Sequence, residues 1–187
     1  MDLINYLNKN NTKYENTSDG LVVKGNLSLR GYKELKSLPD NLVINGDLDL
    51  NNCTSITRLP DNLKVKGHLF LDGCTGLTSL PDNLIVTGGL YLIGCIKLTR
   101  LPDNLQVKRY LSLRGCTGLK KLPDNLQVNW YLSLISCTGL TSLPDSLKVT
   151  GHLDLDGCTL YPFDESKFKI VGEYNIIPNS YRFIIED

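Results

Sequence analysis

Leu63, Val65, Gly67, Leu69 and Leu71 alternate along the chain with Lys64, Lys66, His68 and Phe70. A period of two is the mark of a half-buried strand, with one row of side chains turned inward and the other outward. Pro81-Asp82-Asn83 follows, a cluster of residues that turns the chain back for the next strand. The pattern then repeats. The Leu-Pro-Asp prolines Pro39, Pro60, Pro81, Pro102, Pro123 and Pro144 step by 21 residues, and so do Cys53, Cys74, Cys95, Cys116, Cys137 and Cys158. The unit LPDNLxVxGxLxLxGCTGLTS fits residues 59–79 throughout and recurs without insertion. Such a period predicts coils stacked in parallel register, with equivalent residues about 4.8 Å apart. One coil alone buries too little apolar surface to offset the ordering of its backbone, so the array is the folding unit.

The pattern weakens at both ends. Leu21 to Leu29 match the strand segment, with Tyr32 where cysteine stands later, and Phe168 to Ile176 match it again with larger apolar residues. Leu3, Ile4, Tyr6 and Leu7 lie near helical spacing. The chain therefore divides into an N-terminal cap (1–18), a solenoid of 21-residue repeats (19–165), and a degenerate last coil with a C-terminal cap (166–187).

Leu69-x-Leu71-x-x-Cys74, then Leu77 and Leu80-Pro81, resembles the leucine-rich repeat, with cysteine in the place usually held by asparagine. The short unit with its Leu-Pro turn is similar to repeats of bacterial secreted effectors and of bacterial and phage proteins. The resemblance implies a mainly β, right-handed parallel-strand solenoid with a binding role. The effectors' enzymatic activity is not carried over, because no ubiquitin-ligase domain is read after the repeats. The additional LxVxG before the usual strand departs from the family and points toward a two- or three-sided β-solenoid.

Charge changes the picture little: Lys+Arg and Asp+Glu balance at 20 each, so no global field draws the chain to duplex nucleic acid or to a membrane. The first residues lack a basic, apolar secretory leader, and no run of about 18 apolar residues occurs, so the expected location is the cytoplasm. One cysteine per coil does not converge on a metal as CxxC pairs do, and stacked neighbours point their Cβ bonds in parallel rather than toward each other. Buried free thiols acting as small apolar fillers are expected instead. The column Asp40, Asp61, Asp82, Asp103, Asp124 and Asp145 reads as turn chemistry, with side chains accepting local backbone bonds, rather than as a calcium ladder. No GxSxG, HExxH or glycine-rich phosphate loop occurs, so neither an enzyme nor a cofactor is expected.

The informative residues break the monotony of the outward columns. The column ahead of the first strand leucine runs Asn26, Asp47, His68, Gly89, Tyr110, Tyr131, His152. The next carries Phe70 and Tyr91, and the third carries Ile93, Arg114 and Ile135. A glycine column (Gly25, Gly46, Gly67, Gly88, Gly151, Gly172) is broken only by Arg109 and Trp130. Stacking predicts one patch of His68, Phe70, Tyr91, Ile93, Arg109, Tyr110, Arg114, Trp130, Tyr131 and Ile135, unless a bend at the glycine divides it between two faces. Aromatic and arginine residues of this kind make binding hot spots.

A partner protein is the first expectation. A nucleotide-like small molecule, clamped by Arg109 and Arg114 beside Trp130 and Tyr110, as in a phage anti-defence protein, is the second. Pairing of two copies through 174–177 and 181–185 is the third. A threonine column (Thr54, Thr75, Thr117, Thr138, Thr159) resembles ice-binding solenoids but is interrupted by Ile96.

Overall fold

The computed structural model describes residues 3–160 and the strand Lys169–Ile170. The C-terminal cap and the strands expected at 174–177 and 181–185 lie outside the described residues. The fold is mainly β, a solenoid of about six turns with parallel sheets and a 21-residue repeat.

Each coil contributes two short strands to two different sheets. In the coil carrying Phe70 these are Lys64–Val65 and Leu69–Phe70. Among the described residues the first sheet has nine strands and the second seven. Neighbouring coils pair in parallel with equivalent residues facing, as Val65 faces Val86 and Leu69 faces Leu90. Residues 63–71 therefore do not form one continuous strand; the chain bends at Lys66-Gly67-His68. Alternation survives the bend, because Val65 and Leu69 on either side of it are both buried.

Close approach of successive backbones explains the glycine at this corner. The Gly67 N–H donates to the Gly46 carbonyl at 3.0 Å, and the Gly88 N–H to the Gly67 carbonyl at 3.0 Å. A Cβ on Gly67 would lie 2.8 Å from the Gly46 carbonyl oxygen. A second glycine column has a different cause. Gly31, Gly73, Gly94, Gly115 and Gly157 hold φ between 68° and 73° where the chain leaves the second sheet, and Asn52 and Ser136 occupy the same left-handed position.

Beyond the cysteines, a third side closes each coil. Its pairing is sparse: Thr78 N–H donates to the Thr57 carbonyl at 3.0 Å, and a single parallel bridge joins Arg58 to Ser79. The Pro-Asp-Asn-Leu turns then close with bonds such as Leu84 N–H to the Pro81 carbonyl at 3.2 Å. The aspartate of this turn differs from expectation at Asp40, whose Oδ1 accepts the N–H of Asp61 one coil later, at 3.0 Å, rather than a local N–H.

Helix α1 (Leu3–Lys9) and the antiparallel pair β1 (Tyr14–Thr17) and β2 (Gly20–Val23) close the N-terminal end. Leu3 and Leu7 of α1 are buried in the common core, and Tyr6 Oη donates to the Ser28 carbonyl at 2.6 Å. No helix among the described residues is long and apolar enough to cross a membrane.

Candidate functional site

Two kinds of corner precede the second sheet, and the change from one to the other builds the site. In the early coils, a side-chain acceptor holds the backbone of the next coil. Asn26 Oδ1 accepts the Asp47 N–H at 2.8 Å, Asp47 Oδ1 accepts the His68 N–H at 2.7 Å, and His68 Nδ1 accepts the Gly89 N–H at 2.9 Å. The series stops at Gly89, which has no side chain to continue it.

From the next coil onward the second-sheet strands begin one residue earlier, as Tyr110–Ser112, Tyr131–Ser133 and His152–Asp154. Backbone pairing of Tyr110 with Tyr131 and of Tyr131 with His152 replaces the side-chain acceptors. The rings of this column are thereby released from holding the backbone. The glycine is replaced in the first two of these coils and kept in the third, where a Cβ on Gly151 would overlap the Trp130 carbonyl. A Cβ on Gly46 or Gly67 would overlap the Oδ1 of Asn26 or Asp47, but Arg109 follows the bare Gly88-Gly89 corner.

The ten residues expected to form one patch fall into groups. His68, Phe70 and Tyr91 make one aromatic cluster: Phe70 and Tyr91 stack with centroids 4.9 Å apart, and His68 lies 5.8 Å from Phe70 and 5.9 Å from Tyr91. Gly89 makes room for it, since a Cβ there would stand 2.9 Å from the Tyr91 ring. Arg109, Tyr110, Trp130 and Tyr131 make the second cluster. Tyr110 meets Trp130 edge-on at 5.7 Å and Tyr131 at 6.4 Å, and the Arg109 guanidinium lies 5.9 Å from the Trp130 ring centroid. Ile93, Arg114 and Ile135 are on the same sheet but at the far end of its strands, past the buried Leu92, Leu113 and Leu134.

Trp130 is 55% exposed, the most exposed large apolar side chain among the described residues. It borders an open depression of about 450 Å³ shared with Tyr110, Asn129, Tyr131, Thr150, Gly151 and His152. The depression straddles the corner, so the bend joins an edge of the first sheet to the aromatic column of the second. Asn129, Thr150, Gly151 and His152 were not among the expected site residues. His152 is signalled by its place in the column after Tyr131 and Asn129 by flanking the broken glycine position at Trp130, whereas Thr150 precedes the retained Gly151 and carries no such signal.

Electrostatics orders the floor of this region. Tyr131 Oη donates to Asp154 Oδ2 at 3.1 Å. Burial, reinforced by that carboxylate, raises the Tyr131 phenol above its ordinary range. Burial also raises Tyr91, with smaller contributions from Tyr110, Asp72 and Asp47. Both phenols are therefore neutral donors at physiological pH. Among the described residues no group of three or more His, Cys, Asp or Glu side chains is placed to hold a metal ion. The grooves over the first sheet are lined by Asp, Asn, Gln, Lys, Thr and aliphatic residues, with no aromatic ring. No family model matches the chain, and no curated protein and no solved structure is significantly similar to it.

Proposed function

We propose that the protein is a non-catalytic binding module that grips a partner protein through the corner at Arg109, Tyr110, Trp130 and Tyr131. The supporting observation is the exposed Trp130 ring, standing where other coils keep a glycine and backed by Arg109. Core packing gives no reason for an indole there, whereas tryptophan, tyrosine and arginine in a shallow depression are what a partner's anchoring side chain buries. His68, Phe70 and Tyr91 extend the surface toward earlier coils. In this reading the leucine-rich-repeat likeness and a bacterial or phage cytoplasm are the setting.

Binding should fall by roughly 30-fold or more in Trp130→Ala and in Tyr131→Ala, the loss of a hot spot worth about 2 kcal/mol. Retention of a partner from host lysate by wild type and its loss from both variants, at unchanged melting temperature, is the expected result. A partner held equally by all three rejects the site.

A second reading rests on the depression itself. About 450 Å³ beside a cation-backed indole suits a planar, phosphate-bearing small molecule. Thermal-shift screening with nucleotides separates the two, because a shift abolished by Trp130→Ala favours the small ligand and no shift removes it.

A further inference from the structure

The third side of the coil carries a charge pattern that the aromatic corner does not use. From the second repeat to the sixth it consists of residues 54–58, 75–79, 96–100, 117–121 and 138–142, and these contain no aspartate or glutamate. They contain Arg58, Lys97, Arg100, Lys120 and Lys121, all exposed. None of the five has an ion pair among the described residues.

Register makes the pattern a stripe. The bonds from Thr78 N–H to the Thr57 carbonyl, from Thr99 to Thr78 and from Lys120 to Thr99 fix successive coils side by side. Arg58, Ser79, Arg100 and Lys121 therefore stand in one column, which at about 4.8 Å per coil spans roughly 14 Å. Arg100 and Lys121 are neighbours in it. Like charges at adjacent positions repel, and no carboxylate within the stripe offsets them.

We infer that this third side is a binding site for a single linear chain of phosphates, recognised through its charge and not through bases. Three features select that ligand. Its cations follow the solenoid axis, as phosphates follow a backbone. The stripe is bordered on one edge by a row of carboxylates, Asp61, Asp82, Asp103, Asp124 and Asp145 along the turn, while the other edge is mixed, with Asp72 and Asp156 but also Arg114. A flat anionic membrane or a duplex would be forced onto the aspartate row of the turn, whereas one strand lies alongside it. Finally, the stripe has no aromatic residue on which a base could stack, while Thr117 and Thr138 present exposed hydroxyls suited to phosphate oxygens.

A phosphodiester strand and inorganic polyphosphate share this chemistry, and fluorescence anisotropy distinguishes them. Labelled oligothymidylate should bind the full chain at low salt and be displaced by polyphosphate; the tighter of the two identifies the source. Arg100→Gln with Lys121→Gln should weaken binding roughly tenfold or more and lower the slope of log affinity against log salt by about 1.4, at about 0.7 per phosphate contact. Arg58→Gln with Lys97→Gln should do the same, through an earlier coil and a second cation of the Arg100 coil. Lys64→Gln with Lys148→Gln, the same charge change on the first sheet, should leave binding unaltered, as should Trp130→Ala. No binding of the oligonucleotide, failure of polyphosphate to compete, equal loss in the first-sheet pair, or tighter binding to phosphatidylserine vesicles would overturn the inference.

Discussion

Cys53, Cys74, Cys95, Cys116 and Cys137 are buried, and Cys158 partly so. Each thiol donates to the carbonyl of the residue 24 positions earlier, from Leu29 to Leu134, over 2.9–3.2 Å. Alternating strands and a regular cysteine column are enough to place these side chains inside, but the sequence leaves the hydrogen bond unseen, because it depends on the offset between one coil's turn and the preceding strand end. Burial pushes the thiols of Cys74, Cys116 and Cys137 up from 9.0 to about 12. An acid with a raised folded-state pKa keeps its proton after the unfolded chain has released it, so the native state binds more protons above pH 9 and stability falls as pH rises. The melting temperature should therefore decline between about pH 9 and pH 12, and Cys74→Ala with Cys116→Ala and Cys137→Ala should flatten that decline. An equally steep decline without these thiols would mean that other groups cause it.

At the scale of the element, β1 and α1 protect what a parallel stack leaves open. An end coil presents unpaired backbone and a bare apolar face, which invites association. β1 pairs antiparallel with β2, and α1 places Leu3 and Leu7 against the core end. Removal of residues 1–18 should leave the later coils folded but turn the protein into oligomers or aggregates, seen by light scattering; a monomeric truncated chain would show that the cap is dispensable. The helix is legible from Leu3, Ile4, Tyr6 and Leu7, whereas β1, with the polar sequence Tyr14-Glu15-Asn16-Thr17, has no apolar alternation to announce it. The strand split at Gly67 is legible only as one alternative, a bend at the glycine, for a related reason. Alternation continues across the corner, and only the glycine column hints that two backbones come close there. The aromatic columns are legible residue by residue. Their division into a Phe70–Tyr91 cluster and a Tyr110–Trp130 cluster follows from the Tyr91 ring folding over Gly89, which spacing alone does not specify.

For the whole molecule, the constant register makes the coil a replaceable part. Deleting residues 61–81, one complete period, should keep the fold and lower the melting temperature, because one set of neighbour contacts is lost and the phase is preserved. Deletion of residues 61–80 should unfold the later coils, since a slip of one residue turns inward side chains out. Circular dichroism melts of the two variants check this, and similar stability of both would reject fixed-register stacking. The 61–81 deletion removes His68 and Phe70 yet should retain partner binding at Trp130, which separates the two aromatic clusters.

The corner acceptors give the stack a grammar. Asn26, Asp47 and His68 each reach forward to the following coil, never backward. An arginine or tryptophan at the corner would collide with Asn26 or Asp47 Oδ1 if its coil followed theirs, whereas Gly89 offers Arg109 no such acceptor. Coils can be duplicated or deleted by unequal recombination, but they cannot be shuffled freely: transplanted directly behind the Asp47 coil, the Trp130 coil would set its bulky corner against a carboxylate. Surface novelty in this architecture must be inherited in ordered pairs.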